Sequence, residues 1–235
     1  MAIFAISDLH LSLGTDKPMD VFGARWENYV TRLKDSWLQS VEPEDTVLIA
    51  GDISWAMHLE EATEDLKFIN ALPGDKIFIK GNHDFWWGTN GKVEDFLKQE
   101  GLTRITLVKN NACKVEDHVI CGTRGWILPG HTEFKQHDQT IFEREVGRLE
   151  RSIQAGNALK TKDLTPLIVM MHYPPVAEDG CPTAFSAMME KYNISQCIYG
   201  HLHGRGHQRA FEGELNGVKY TLTSADYIGF KPLRL

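Results

Sequence analysis

Apolar residues recur along the chain with two different periods, and the alternation of these periods predicts the fold class. Short apolar runs rich in β-branched residues predict buried strands. Amphipathic stretches with apolar residues three and four positions apart predict helices. The two kinds of segment alternate from early in the chain, which is typical of α/β proteins. The predicted strands are residues 2–6, 46–50, 76–79, 105–108, 118–122, 167–171, 196–199 and 218–223.

Four amphipathic stretches supply the predicted helices. Pro43 follows the end of the first, Pro73 stops the second, and Gly101 stands at a plausible C′ position after the third. These stretches cover residues 26–38, 59–69, 90–97 and 141–153.

Polar segments that carry Asp, Asn or His close most of the early apolar runs. Ligand sites of open α/β sheets collect at the carboxyl ends of the strands, so we expect these segments to converge. In chain order they are Asp8-Leu9-His10, Gly51-Asp52, Gly81-Asn82-His83-Asp84, His172 and Gly200-His201-Leu202-His203.

The residue types in these segments suit a pair of metal ions. Asp8 and His10 stand two positions apart, so an extended backbone would point both side chains the same way, and His201 and His203 share that spacing. Asp52 offers two carboxylate oxygens, which suit a bridge between two cations. Together the segments supply enough oxygen and nitrogen ligands for two metals in one site.

Two further ligand candidates and three glycines complete the pattern. Asn82 offers an amide oxygen, and His172 directly follows the run 167–171. Glycines at positions 51, 81 and 200 are expected to let the backbone turn sharply before each ligand. Asp84 is expected to orient a neighbouring loop or His83 by hydrogen bonding.

Composition limits the domain organisation. The chain has 235 residues, of which 42% are hydrophobic, and this is enough to bury the core of a single domain spanning residues 1–235. The stretch 123–138 is rich in Gly, His and charge without a clear period, so we expect a long surface excursion there. Such excursions often overhang a site.

Charge and cysteine usage limit partners and location. A formal net charge of −7 argues against a surface that coats nucleic acid. The four cysteines form no Cys-x-x-Cys pair, which indicates reduced thiols. The apolar opening is too short for a signal sequence, and no run of about 18 apolar residues occurs, so we expect a cytoplasmic protein without membrane contact.

In this order the motifs resemble those of the calcineurin-like metallophosphoesterase superfamily, and the resemblance spans almost the whole chain. It implies a four-layer α/β/β/α sandwich with a binuclear metal centre. It also implies that His83 is not a ligand but lies beside the scissile phosphate and protonates the leaving oxygen or binds the phosphate. The implied ligands are Asp8, His10 and His203 for the first metal, Asn82, His172 and His201 for the second, and Asp52 as the bridge.

Differences from three subclasses of this superfamily reduce the number of activities that we expect for this chain. Asp52 lacks the Asp-Arg-Gly extension of Ser/Thr protein phosphatases, and Trp55 stands where purple acid phosphatases place a tyrosine ligand. His83, rather than arginine, separates the chain from the lipid A pathway hydrolases. The remaining group is that of small bacterial-type phosphoesterases and phosphodiesterases.

The resemblance therefore implies hydrolysis of a phosphomonoester or phosphodiester by a metal-bridging hydroxide, with His83 as the general acid. The mixed ligands suit Mn, Fe or Zn. The expected partner is a small phosphorylated substrate, while metal identity, oligomeric state and ester preference stay open. The alternatives are a nuclease and a catalytically silent metal-binding scaffold for a protein partner.

Several other side chains allow two interpretations each. Arg124 and Arg205 either clamp a substrate phosphate or form structural and surface pairs. Phe85, Trp86 and Trp87 either pack in the core, which is favoured, or form an aromatic wall against substrate. Structural or surface roles are expected for the isolated histidines at positions 58, 118, 131, 137 and 207.

Overall fold

The computed structural model describes residues 1–160 and 165–235. The chain forms two compact units. The first comprises Met1–Leu107 with Thr223–Leu235, and the second comprises Val108–Leu222. Each unit contains one mixed, mainly parallel sheet packed by helices, so the predicted α/β class is confirmed.

The strands are short, as is usual for α/β units. In chain order they are β1 Ile3–Ile6, β2 Thr46–Ile49, β3 Asp75–Phe78, β4 Ile105–Leu107, β5 Ala112–Val115, β6 His118–Thr123, β7 Leu167–Met171, β8 Gln196–Tyr199, β9 Gly213–Leu215, β10 Val218–Leu222 and β11 Leu233–Arg234.

Five α-helices and three 3₁₀ turns accompany these strands in the described residues. The helices are α1 Tyr29–Ser40, α2 Thr63–Ala71, α3 Asn90–Gln99, α4 Gln136–Leu159 and α5 Ala184–Lys191. The 3₁₀ turns are Met19–Phe22, Ala24–Trp26 and Gly204–Arg209. None of the helices among the described residues is long and apolar enough to cross a membrane.

The first unit has a five-stranded sheet in the order β11-β1-β2-β3-β4. Strands β1 to β4 are parallel, and β11 pairs antiparallel with β1 at the edge. α1 buries Tyr29, Leu33 and Trp37, which stand four residues apart and share one helix face. Because β1, β2 and β3 run in parallel, their carboxyl ends lie at one edge of this sheet.

The second unit has a six-stranded sheet in the order β5-β6-β7-β8-β10-β9. The four central strands are parallel, and β5 and β9 are antiparallel edges. The long helix α4 packs against β5 and β6. Gly156 of α4 allows this approach, because a Cβ there would lie 3.2 Å from Val119 and 3.3 Å from Leu167.

The predicted elements agree with the structure apart from their ends and a few omissions. All eight predicted strands and all four predicted helices are present, with shifts of a few residues at several ends. The prediction omitted the edge strands β5, β9 and β11 and the short helix α5. No helix or strand occurs within residues 124–135, in the stretch for which a surface excursion is predicted.

Candidate metal centre

Asp8, Asp52 and His83 occupy the loops that follow β1, β2 and β3 of the first unit. Main-chain hydrogen bonds join two of these loops: the N–H of Asp8 donates to Gly51 at 2.9 Å, and the N–H of His10 donates to Asp52 at 3.0 Å. The Tyr29 hydroxyl of α1 donates to the His10 carbonyl at 2.8 Å. The sheet edge and α1 therefore fix the backbone from which these side chains extend.

Asp8, His10 and Asp52 form a buried acid and imidazole cluster within the first unit. Their exposed fractions are 0%, 2% and 1%. His10 Nε2 lies 3.7 Å from Asp52 Oδ2, and Asp8 has a ligand atom within 4.8 Å of one on His10 and of one on Asp52. The hydroxyls of Ser7 and Ser224 both donate to Asp8 Oδ2, at 2.5 and 3.0 Å.

The backbone of this cluster is not extended, so the expected geometry for Asp8 and His10 is wrong. Their φ angles are +58° and +45°, and that of Asp52 is +52°. Non-glycine residues with such angles cost about 1–3 kcal/mol each and persist where the surroundings fix them. Here the main-chain bonds between the β1 and β2 loops provide that constraint. The expectation also fails at His201, with φ of +72°, but not at His203, which is extended.

Asp84 anchors the loop that carries Asp52. Its buried carboxylate accepts main-chain N–H bonds from Asp52, Ile53, Ser54 and Gly81, at 2.8–3.2 Å, and the indole N–H of Trp86 at 3.0 Å. Burial raises the pKa of Asp84 to about 6, the Asp52 carboxylate acts in the same direction, and the donated N–H bonds oppose both. The expectation that Asp84 orients a neighbouring loop is confirmed.

Glycines allow the loops to approach. Gly51 has a φ of +90°, which favours glycine and supports the predicted sharp turn before Asp52. Gly81 serves differently, because a Cβ at this position would collide with the main-chain nitrogen and carboxylate of Asp52. Close contact between two loops, rather than a left-handed turn, therefore requires glycine at position 81.

His83 lies next to the carboxylate cluster. Its main-chain N–H donates to Asp52 Oδ1 at 2.8 Å, and its ring centroid lies 5.6 Å from that of His10. The preceding residue, Asn82, is half-buried in the same loop. Within the first unit, the structure thus brings His83 to the predicted ligands His10 and Asp52.

The aromatic run after His83 divides into two parts. Trp86 and Trp87 are buried, and their indole N–H groups donate to Asp84 and Asn90, both at 3.0 Å, so the favoured packing interpretation is confirmed for both. Phe85 is 53% exposed and lies with its ring centroid 6.1 Å from that of His83.

The second unit carries the remaining predicted ligands on two adjacent parallel strands. His172 follows β7, and the loop after β8 holds His201 and His203. The Gly200 N–H donates to the His172 carbonyl at 3.1 Å, and the rings of His172 and His201 lie 5.2 Å apart. Tyr173 packs against His201 with ring centroids 4.2 Å apart.

His207 is a histidine that the sequence interpretation assigned to a structural or surface role. Within the second unit it has a ring nitrogen within 4.8 Å of one on His203. It lies in the 3₁₀ turn Gly204–Arg209, which begins directly after His203. The sequence gives no signal for it, because a spacing of four residues aligns side chains in an α-helix, whereas His203 is extended and the following segment is a 3₁₀ turn.

The two arginines have different surroundings. Arg124 lies 3.8 Å from Glu145, and its guanidinium carbon lies 4.5 Å from the Trp126 ring centroid. Burial lowers the pKa of Arg124, and Glu145 opposes this shift. Arg205 is exposed on the 3₁₀ turn after His203. Structural partners for Arg124 are thus present, and phosphate binding by either arginine stays a prediction.

The donor set of the first unit fits a divalent cation. Buried carboxylates are costly unless hydrogen bonds or cations compensate their charge. Asp8, His10 and Asp52 offer two carboxylates and an imidazole within a short span, which suits Mn, Fe or Zn. Within the second unit, the neighbouring rings of His172 and His201 offer nitrogen donors of the type that these metals bind.

Comparisons with known proteins agree with this donor chemistry. The family profile described as calcineurin-like phosphoesterase matches residues 1–205. No curated protein sequence matches the chain.

Solved structures with low sequence identity share the fold. A protein of unknown function from Aquifex aeolicus is 18% identical with a TM-score of 0.51, covering 99% of this chain and 95% of its own. A phosphopantetheinyl hydrolase from Mycobacterium tuberculosis is 14% identical with a TM-score of 0.55, covering 100% and 95%. A protein from Thermus thermophilus is 12% identical with a TM-score of 0.56, covering 86% and 81%.

Proposed function

Because the chain belongs to the calcineurin-like phosphoesterase family, we propose that it is a metal-dependent hydrolase of a small phosphomonoester or phosphodiester. The observation that carries this proposal is the position of His83. Its main chain is bonded to Asp52, and its ring lies beside that of His10. A proton donor thus neighbours two predicted ligands within one unit.

We assign the ligands by the family pattern. By that pattern, Asp8, His10 and His203 would hold one ion, Asn82, His172 and His201 would hold the other, and Asp52 would offer its carboxylate to both. The support from the structure is separate for each unit: a buried carboxylate and imidazole cluster in the first, and neighbouring histidine rings in the second.

Charge favours an anionic substrate at such a centre. Two divalent ions would bring four positive charges, and Asp8 and Asp52 would cancel two of them. The ion pair would supply a Lewis acid and would lower the pKa of a bound water to about 7, which provides hydroxide near neutral pH.

Two further roles fall to side chains of the protein, namely fixing the Asp52 carboxylate and protonating the leaving oxygen. Asp84 holds the main chain of Asp52 through the N–H bonds described above, which fixes the direction of the Asp52 carboxylate. In its protonated form, the His83 side chain donates a proton to the departing ester oxygen and becomes neutral imidazole, so that an alcohol rather than an alkoxide leaves.

The experiment compares metal-reconstituted wild type with Asp52→Asn and His83→Ala on p-nitrophenyl phosphate and bis(p-nitrophenyl) phosphate. Asp52→Asn should lose metal and activity together. His83→Ala should keep its metal while kcat falls about 10²–10⁴-fold. Two exposed positions of the first unit provide the matched controls, Asp35→Asn and His58→Ala, which should resemble wild type.

Leaving-group dependence tests the role of His83 more sharply. An alkyl phosphate needs a proton on its leaving oxygen, whereas p-nitrophenolate leaves readily without one. The defect of His83→Ala should therefore be larger for the alkyl ester. Equal defects on both esters would contradict the general-acid role.

The same assay separates the alternatives. Single-stranded DNA and RNA serve as nuclease substrates, and net acidity predicts no cleavage of either. A silent scaffold would bind metal but hydrolyse none of these esters. That result would overturn the proposed activity.

A further inference from the structure

We infer that Trp55 is a positioning residue that holds His10 and His83 in fixed orientations; this inference rests on the proposed function. The indole of Trp55 stacks on the His10 ring, with centroids 4.7 Å apart and planes 24° apart. The same indole meets the His83 ring at 4.5 Å and 52°. One side chain therefore contacts both the predicted ligand and the predicted proton donor.

Trp55 is itself held in place. Its main-chain N–H donates to the Leu11 carbonyl at 2.9 Å, next to the bridge between Leu11 and Ser54. Its indole N–H points to the Met19 sulfur at 2.9 Å. Its carbonyl accepts a bond from the Lys17 ammonium at 3.2 Å. The indole is thus fixed by the segment between β1 and α1 as well as by its own loop.

The stack limits how the His10 ring can turn. His10 Nε2 lies 3.7 Å from Asp52 Oδ2, and a rotated imidazole would lose this alignment. A nearly parallel indole at 4.7 Å packs against one face of the imidazole and opposes rotation of the ring out of its plane. Loss of a partner that orients a ligating histidine typically lowers metal affinity or activity about 10–100-fold.

Trp55 acts through these neighbours and not as a ligand. An indole has only a donor N–H and no lone pair to offer a metal, and here that N–H is directed at Met19. The position that holds a tyrosine ligand in purple acid phosphatases thus holds a residue that can only orient the groups around it. The tilted contact with His83 extends the same constraint to the proton donor.

The test uses Trp55→Ala, Trp55→Leu and Trp55→Phe. Calorimetry measures Mn²⁺ affinity, and p-nitrophenyl phosphate kinetics give kcat and KM separately. Trp55→Ala should weaken Mn²⁺ binding and lower kcat, each about 10–100-fold, with KM changed less than about threefold. Trp55→Phe keeps an aromatic face and should restore most of both values.

A core variant of the same unit separates orientation from general stability. Trp37 is buried on α1, and its indole N–H donates to the Pro73 carbonyl at 3.0 Å. Trp37→Leu should lower the melting temperature while leaving Mn²⁺ affinity unchanged. If Trp55→Ala does not fold, Trp55→Leu takes its place, because leucine retains volume but offers no ring to stack.

The outcomes distinguish this inference from the proposed function. Wild type that binds Mn²⁺ but hydrolyses no ester overturns the function, while the affinity of Trp55→Ala still tests the inference. Folded Trp55→Ala or Trp55→Leu with wild-type Mn²⁺ affinity and kcat overturns the inference alone. Failure of Trp55→Phe to restore either value also overturns it, and wild type that binds no Mn²⁺ overturns both.

Discussion

The buried carboxylate of Asp84 accepts the main-chain N–H of Asp52 at 2.9 Å across 32 residues of sequence. One acid of the first unit thereby fixes the backbone from which another acid extends. Four more N–H donors converge on the same two oxygens. Asp84 therefore supplies most of the hydrogen bonds that join the loops after β2 and β3, alongside the bond from the His83 N–H to Asp52, and this makes Asp84 a sensitive position.

Asp84→Asn is expected to destabilise the protein by about 3 kcal/mol, since hydrogen bonds to charged groups and unsatisfied buried donors each cost about 1–3 kcal/mol. An amide nitrogen accepts no hydrogen bond, so at least one of the N–H donors would lose its acceptor. Urea unfolding measures the loss. The exposed substitution Asp95→Asn is the control, and a free energy of unfolding within about 0.5 kcal/mol of wild type for Asp84→Asn would contradict this account.

Gly81→Ala is expected to displace Asp52, because the added Cβ would overlap the Asp52 nitrogen and carboxylate. Both metal affinity and stability should fall. Gly91→Ala provides the matched control. It lies in α3 with nothing within 4 Å of its Cβ, so it should instead stabilise by about 0.5–1 kcal/mol. Calorimetric Mn²⁺ titration and thermal unfolding follow the two effects, and wild-type behaviour of Gly81→Ala would refute the close approach.

The sequence predicted best those strands whose residues form a continuous apolar run. Runs 167–171 and 196–199 match β7 and β8 at both ends, because strongly apolar runs contrast with their polar flanks. The edge strand β5 is half-exposed and carries no such contrast. Helix α5 has only eight residues, and its start is marked by a hydrogen-bond exchange between Thr183 and Ser186, in which serine replaces the Glu or Gln of the usual capping-box pattern.

The candidate site was predictable in residue identity but not in conformation. Asp8, His10 and Asp52 are recognisable from their motifs, whereas their positive φ angles arise from hydrogen bonds between loops distant in sequence. The stacking of Trp55 on His10 joins residues 45 positions apart, and no periodicity signals such a contact. Long-range contacts of this kind become visible only in the folded unit.

Glu145→Gln is expected to destabilise the protein by about 2 kcal/mol, since hydrogen bonds to a charged group contribute about 1.5–3 kcal/mol. The buried Glu145 carboxylate accepts the Thr123 hydroxyl at 2.6 Å and pairs with Arg148 at 2.5 Å and Arg124 at 3.8 Å. Chemical denaturation checks the loss against the exposed control Glu143→Gln. Equal midpoints for the two variants would show that this ion-pair network contributes nothing.

Lys76 is expected to make the free energy of unfolding increase with pH in the alkaline range. Burial lowers the pKa of this lysine from 10.5 to about 8, and its ammonium donates to the carbonyls of Leu72 and Asn70 near the end of α2. Between about pH 8 and 10.5 the unfolded chain binds a proton that the folded chain has released. The free energy of unfolding therefore increases with pH in this window.

The difference in unfolding free energy between wild type and Lys76→Met isolates this effect. It should grow in favour of wild type by about 2–3 kcal/mol from pH 7.5 to 10.5, at about 1.36 kcal/mol per pKa unit. The exposed substitution Lys92→Met should show no such trend. A difference that shrinks as pH rises would reverse the sign and refute the lowered pKa.

The most direct test of the central claim is electron paramagnetic resonance during Mn²⁺ titration of the metal-free protein. The account predicts two ions per chain with an exchange-coupled signal, as expected for a pair about 3.5–4 Å apart. Asp52→Asn should abolish the coupling. A single bound ion, or two ions with uncoupled signals in wild type, would contradict a metal pair bridged by Asp52.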